Sequence, residues 1–122
     1  MLTLTGRASD GGVSPPSTYV GPAAVPSRQQ LIDDGARAAG REPADVRRIY
    51  NVVGSIGPRR GGPGLTGDVE LWVATLTDWS VNLGLDTFIC WPMSAPLDQL
   101  DIFAREVVPA VRQGVAERRA AR

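Results

Sequence analysis

Histidine and lysine are both missing from this 122-residue sequence, and each absence closes off chemistry. Without histidine there is no Ser-His-Asp or Cys-His catalysis, and the commonest zinc ligand is gone. Without lysine neither a Schiff base nor a P-loop can be built. A single cysteine, Cys90, excludes an internal disulfide. No apolar run reaches the 18 residues of a membrane span, and Met1-Leu2-Thr3-Leu4-Thr5-Gly6-Arg7 lacks the character of a signal peptide. A soluble, cytoplasmic protein with no membrane partner is the expectation. The thirteen basic residues, all arginine, are balanced by thirteen acids. With no net charge there is no global field to draw the chain to nucleic acid or an anionic membrane.

What is present is ordinary globular material. Apolar residues make up 43% of the chain, enough for a core, and the length fits one modest domain over 1–122. Residues 1–26 are rich in Gly, Pro and Ser and read as irregular, with a short apolar start and a strand around Gly12 to Ser14. Ser27-Arg28-Gln29-Gln30 has the form of a capping box opening a helix. That helix turns Leu31, Ile32, Gly35, Ala36 and Ala39 inward and stops at Gly40. Ile49-Tyr50-Asn51-Val52-Val53 is a β-branched strand. A Gly/Pro-rich loop fills 54–67, with Thr66 as the N-cap of the next helix. Val69, Trp72, Val73, Leu76, Ser80 and Leu83 share a face of that helix, and Gly84 ends it. Thr87-Phe88-Ile89-Cys90-Trp91 is nearly continuous in apolar character, as a strand covered on both faces would be. A last helix from about Leu97 to Arg119 places Leu97, Leu100, Phe103, Ala104, Val107, Val111 and Val115 inward, and Pro109 bends it.

Helix, strand, helix, strand, helix is the alternation of an α/β fold, with parallel strands joined by right-handed crossovers. The helix-to-strand links are short, whereas the strand-to-helix loop at 54–67 is long. In parallel α/β folds ligands bind on that side, beyond the C-terminal ends of the strands.

Four segments resemble one known family. Residues 4–11, Leu-Thr-Gly-Arg-Ala-Ser-Asp-Gly, resemble "AGR-x-ADGW", with Gly12 where the family has tryptophan. Residues 38–48 are similar to "AGRDPAEIRR", residues 86–92 to "FDTFILWP", and residues 103–112 to "FAEEVAPAVR". The family is the luciferase-like monooxygenases, flavin- or F420-dependent oxidoreductases. The resemblance implies a partial TIM (β/α)8 barrel, about three parallel strands with covering helices. It implies FMN or F420 as cofactor, hydride transfer or oxygen activation, and a small-molecule substrate. It also implies that the sequence is the C-terminal part of such a barrel, starting just after the Gly-Gly pair that grips the cofactor phosphate. A reading of another class is a non-catalytic half-barrel that pairs with itself or with another chain, because three parallel strands with open edges need cover. A homo-oligomer is expected under both.

Arg59, Arg60, Gly61 and Gly62 are the local candidates for cofactor binding: free backbone amides with two guanidinium groups can cradle a phosphate or carboxylate. The same Gly and Pro residues also suit a solvated loop. Trp91, at a strand's C-terminal end, is placed either to line a cofactor pocket or to pack under the last helix. Cys90, between Ile89 and Trp91, reads as a buried structural thiol. Asp33, Asp34, Asp98 and Asp101 read as first-turn acids suited to a helix dipole. No set of metal ligands stands out.

Overall fold

Alternate residues of strand β2 (Arg47–Ile56) are buried from Arg48 to Ile56, so one face of the strand is covered along its length. This is the β-branched run read from the sequence, extended at both ends. The computed structural model describes residues 2–14, 20–62 and 64–121. Met1, residues 15–19 of the N-terminal stretch, Pro63 of the glycine-rich loop and Arg122 lie outside the described residues. The chain divides into two units, Met1–Asn51 with Leu85–Ile89 and Val52–Gly84 with Cys90–Arg122. Strand β2 belongs to both.

In the first unit, helix α1 (Leu2–Ala8) and strand β1 (Gly11–Ser14) occupy a stretch whose composition reads as irregular; a helix running into a strand is what the resemblance of residues 4–11 implies there. Strand β1 pairs in parallel with β2, from Gly11 opposite Arg47 to Ser14 opposite Tyr50. Helix α1 packs on helix α2 (Val25–Ala38) through two glycines. A Cβ on Gly6 would sit 1.9 Å from the Ile32 carbonyl oxygen, and one on Gly35 would sit 2.1 Å from that of Thr3. Only glycine allows backbones this close. Ile32, Ala36 and Val46 form a small core beneath Leu2. The Arg41 guanidinium donates to the carbonyls of Gly6 (2.7 Å) and Ser9 (2.9 Å), satisfying groups that the end of α1 leaves open.

Helix α2 begins two residues before the expected capping box. A turn at Pro22–Ala24 runs straight into it, Ala24 is the N-cap, and the Ser27 hydroxyl bonds back to the Ala24 carbonyl. The serine therefore lies inside the first turn, and its oxygen faces the wrong way to cap an amide. Leu31, expected inside, is exposed, while Ile32, Gly35 and Ala36 are buried as expected. Gly40 takes the left-handed backbone of a helix stop.

In the second unit, β3 (Leu65–Gly67) pairs in parallel with the end of β2. The stretch 54–67 is thus divided: its first residues complete β2, its last form β3, and the loop proper runs between them. Helix α3 (Val69–Leu83) starts at Asp68, whose carboxylate accepts the Leu71 amide at 2.9 Å, and ends at left-handed Gly84. Thr66 cannot cap because it is held in β3. Trp72 is fully buried, donates through Nε1 to the Ser55 carbonyl, and meets Phe103 edge-on at 6.1 Å.

Strand β4 (Thr87–Pro92) pairs with β2. The Asp86 amide bonds the Arg48 carbonyl and the Met93 amide that of Gly54, so both strands advance in the same direction. The architecture is α/β, an open sheet of parallel strands with covering helices, as the alternation predicts.

The final helix is three pieces: α4 (Pro96–Ile102), a wide turn at Phe103–Val107, and α5 (Val108–Ala120). Pro109 has no amide hydrogen to give to the turn before it. The chain answers with a π turn, in which Val108 donates to the Phe103 carbonyl. A π turn inserts a residue and so rotates the face of α4 relative to that of α5. Val107 and Val111 are buried as expected, whereas Leu97, at 84% exposure, and Leu100 face solvent.

Candidate functional site

The C-terminal ends of β2 and β4 open onto a cleft of about 360 Å³, lined by Ser55 to Arg59, Gly61, Gly62, Thr66, Met93, Ser94 and Gln99. Its walls are fixed by hydrogen bonds. Where β4 has ended, the Gln99 amide takes over as a strand neighbour: Ile56 N donates to Gln99 Oε1 at 2.6 Å, and Gln99 Nε2 donates to Ile56 O at 2.9 Å. Across the loop, Gly57 N donates to Gly67 O (2.8 Å) and Gly61 N to Thr66 O (3.4 Å). Gly61, Gly62 and Gly64 all have positive φ, which lets the chain fold back sharply between the two strands.

Of the residues singled out from the sequence, Arg59, Gly61 and Gly62 come together on this cleft. Arg60 does not line it. Its guanidinium reaches Asp68 Oδ2 at 3.4 Å, with both side chains largely in solvent. The Leu71 amide, and after it the Arg60 guanidinium, hold the Asp68 carboxyl below the usual carboxylate range. The cradle of free amides is smaller than expected, because the amides of Gly57 and Gly61 are already bonded across the loop. Trp91 is 55% exposed on β4, not packed beneath a helix, and is not among the residues lining this cleft.

Ser55 belongs to the glycine-rich loop read as the ligand side, whereas Thr66, Met93, Ser94 and Gln99 were not found as site residues by sequence reasoning. One signal was available for two of them, Met93 and Ser94: Pro92 to Pro96 joins a strand to a helix, so it lies at the same end of the fold as the glycine-rich loop, whereas Gln99 lies on α4 and needs the fold. Thr66 was read as a helix cap instead, and its place on the cleft depends on the pairing of β2 with β3.

Cys90 is half-buried, and burial pushes its thiol up, away from a reactive thiolate. Asp33 is not a first-turn acid. It lies in the middle of α2 and bonds Arg48 at 2.6 Å. Among the described residues no group of three His, Cys, Asp or Glu is placed to hold a metal ion, and no helix is long and apolar enough to cross a membrane.

No protein-family model matches the sequence, and a search of curated proteins finds no relative. Solved structures do match. An F420-dependent secondary alcohol dehydrogenase in complex with an F420-acetone adduct superposes with a TM-score of 0.72 at 17% identity, covering 90% of this chain and 45% of that one. Riboflavin lyase with modified FMN and its substrate riboflavin gives a TM-score of 0.72 at 12% identity, covering 92% of this chain and 40% of that one. The chain spans less than half the length of either structure. Both are TIM-barrel-type luciferase-like enzymes, and at these identities the likeness is one of fold.

Proposed function

We propose that this chain is part of a luciferase-like, flavin- or F420-dependent oxidoreductase and supplies the last strands of its barrel and one rim of its active site. The observation that carries the reading is the cleft at the C-terminal strand ends, on a fold shared with enzymes of deazaflavin and flavin. The lining suits part of such a cofactor or a small substrate. It has apolar surface in Ile56 and Met93, hydroxyls in Ser55 and Ser94, one guanidinium in Arg59, and, among the described residues, no carboxylate to repel a phosphate. Gly61 and Gly62 let a ligand approach the backbone closely, and Trp91 offers an aromatic surface on the neighbouring strand. A bound flavin or deazaflavin supplies the hydride chemistry. The part of this chain is to hold and orient the ligand and to keep the rim fixed through Gln99. We place the protein in the cytoplasm.

Titration of the purified chain with FMN and with F420, followed by flavin fluorescence and deazaflavin absorbance, tests the reading. Saturable binding is expected for one of the two. If neither binds at high micromolar concentration, this chain has no cofactor site of its own.

A second reading is favoured by the exposure of Trp91, Met93, Leu97 and Leu100, which is the apolar face of an association module. Under it the chain pairs with a second copy of itself, and sedimentation decides.

A further inference from the structure

Arg59 and Arg60 are adjacent in sequence and differ in what surrounds them, and that difference defines the ligand. Arg60 is ion-paired with Asp68, the residue that caps α3, so its charge is matched and its side chain ties the glycine-rich loop to the start of that helix. Arg59 lines the cleft, and it forms no ion pair among the described residues. Among the described residues no other that lines it bears a charge. With the Gly57 and Gly61 amides already bonded to Gly67 and Thr66, recognition of an oxyanion falls on a guanidinium rather than on a nest of amides. A guanidinium presents two parallel donors to a phosphate or carboxylate, and the apolar Ile56, Pro58 and Met93 leave room beside it for an uncharged body.

We infer that the cleft takes a small organic anion, a phosphate monoester or a carboxylate on an apolar body, with Arg59 as its one charged contact. Arg60 is a brace for the loop and does not touch the ligand. The inference rests on the cleft being the ligand end of the fold, as proposed above, but it does not require the ligand to be a flavin. The anion belongs either to the cofactor's phosphate or to the substrate.

FMN and riboflavin differ only by a phosphate, which makes them the probe pair. Each is titrated against the wild-type chain, Arg59→Gln and Arg60→Gln by flavin fluorescence. The unfolding midpoint of all three is also read with and without inorganic phosphate. Circular dichroism confirms the fold of the exposed-site variants. The expected result is that FMN binds more tightly than riboflavin. Arg59→Gln then weakens FMN roughly tenfold while leaving riboflavin unchanged, and Arg60→Gln alters neither. That outcome puts the cofactor's phosphate on Arg59. If FMN and riboflavin bind alike, or neither binds, a phosphate-dependent rise in midpoint that Arg59→Gln abolishes assigns the same site to an anionic substrate. Where neither flavin binds, that absence counts against the cofactor proposal and not against this one. The inference is overturned if Arg59→Gln changes neither response, if Arg60→Gln is as damaging as Arg59→Gln, or if neither FMN nor phosphate registers on the wild type.

Discussion

Arg48 is the residue on which the first unit turns. The residue is 7% exposed, and the three nitrogens of its side chain donate to Val46 O, Gln29 Oε1, Asp33 Oδ1 and Pro43 O. Its backbone amide bonds the Asp86 carboxylate as well. A buried guanidinium is costly unless its donors are satisfied, and here they fix α2, the turn at Pro43–Asp45 and β2 to one another. Arg48→Met keeps much of the length of the side chain and removes the charge. It leaves Asp33, which is only partly exposed, without its partner. The expected loss is roughly 3 kcal/mol in urea unfolding, with Asp33→Asn costing less because its partner keeps its other acceptors. A loss below about 0.5 kcal/mol, the ordinary effect of a surface change, would show that the network is not stabilising. None of this could be read from the sequence. Arg48 belongs to a run of charged residues before a strand, and its partners lie up to 38 residues away.

At the scale of the element, what was legible depended on how local the deciding interaction is. Strands β1, β2 and β4 and the stops at Gly40 and Gly84 follow from side-chain type within a few residues, and they stand where the sequence places them. The N-cap of α3 was misplaced by two residues. Thr66 and Asp68 both have an oxygen suited to the task, and only the pairing of β3 with β2 decides between them. The inward face of the last helix was misread before the π turn, at Leu97 and Leu100, because the turn at Phe103–Val107 changes the phase of a pattern that assumes one continuous helix. The cleft was half legible: its glycine-rich rim is in the composition, whereas the Gln99 wall needs the fold. The Asp68 cap makes a sign-specific prediction. Its carboxyl sits below the usual carboxylate range chiefly because it accepts the Leu71 amide, so it contributes stability above that range and loses it as pH falls through its own lowered value. Asp68→Ala should therefore lower the urea midpoint at neutral pH, and the gap to wild type should close in strong acid. A gap independent of pH would mean that the charge of Asp68 has no part in the cap.

For the whole molecule the open question is cover. The superposed enzymes are more than twice as long as the region they share with this chain, and barrel strands in them have neighbours on both sides. Here, within the second unit, Trp91 and Met93 stand at alternate positions from the end of β4, and Leu97 and Leu100 follow on α4; all four are exposed. Apolar side chains of this size in one ten-residue stretch of surface exceed what scattered exposure requires, and patches of this kind mark interaction sites. If a second copy covers them, a charge placed among them will separate the copies without touching the fold. Leu97 is the right position because it is almost wholly in solvent in the isolated chain and supports nothing beneath it. Sedimentation equilibrium of the wild type is expected to give a dimer, with Leu97→Glu moving it toward monomer by burying an unpaired carboxylate in the interface. The thermal midpoint of Leu97→Glu measured at low concentration should stay close to that of wild-type monomer, since a surface change of this sort is worth about 0.5 kcal/mol or less. A wild type that sediments as a monomer at all concentrations rules out self-association through this face and leaves the function with the cleft.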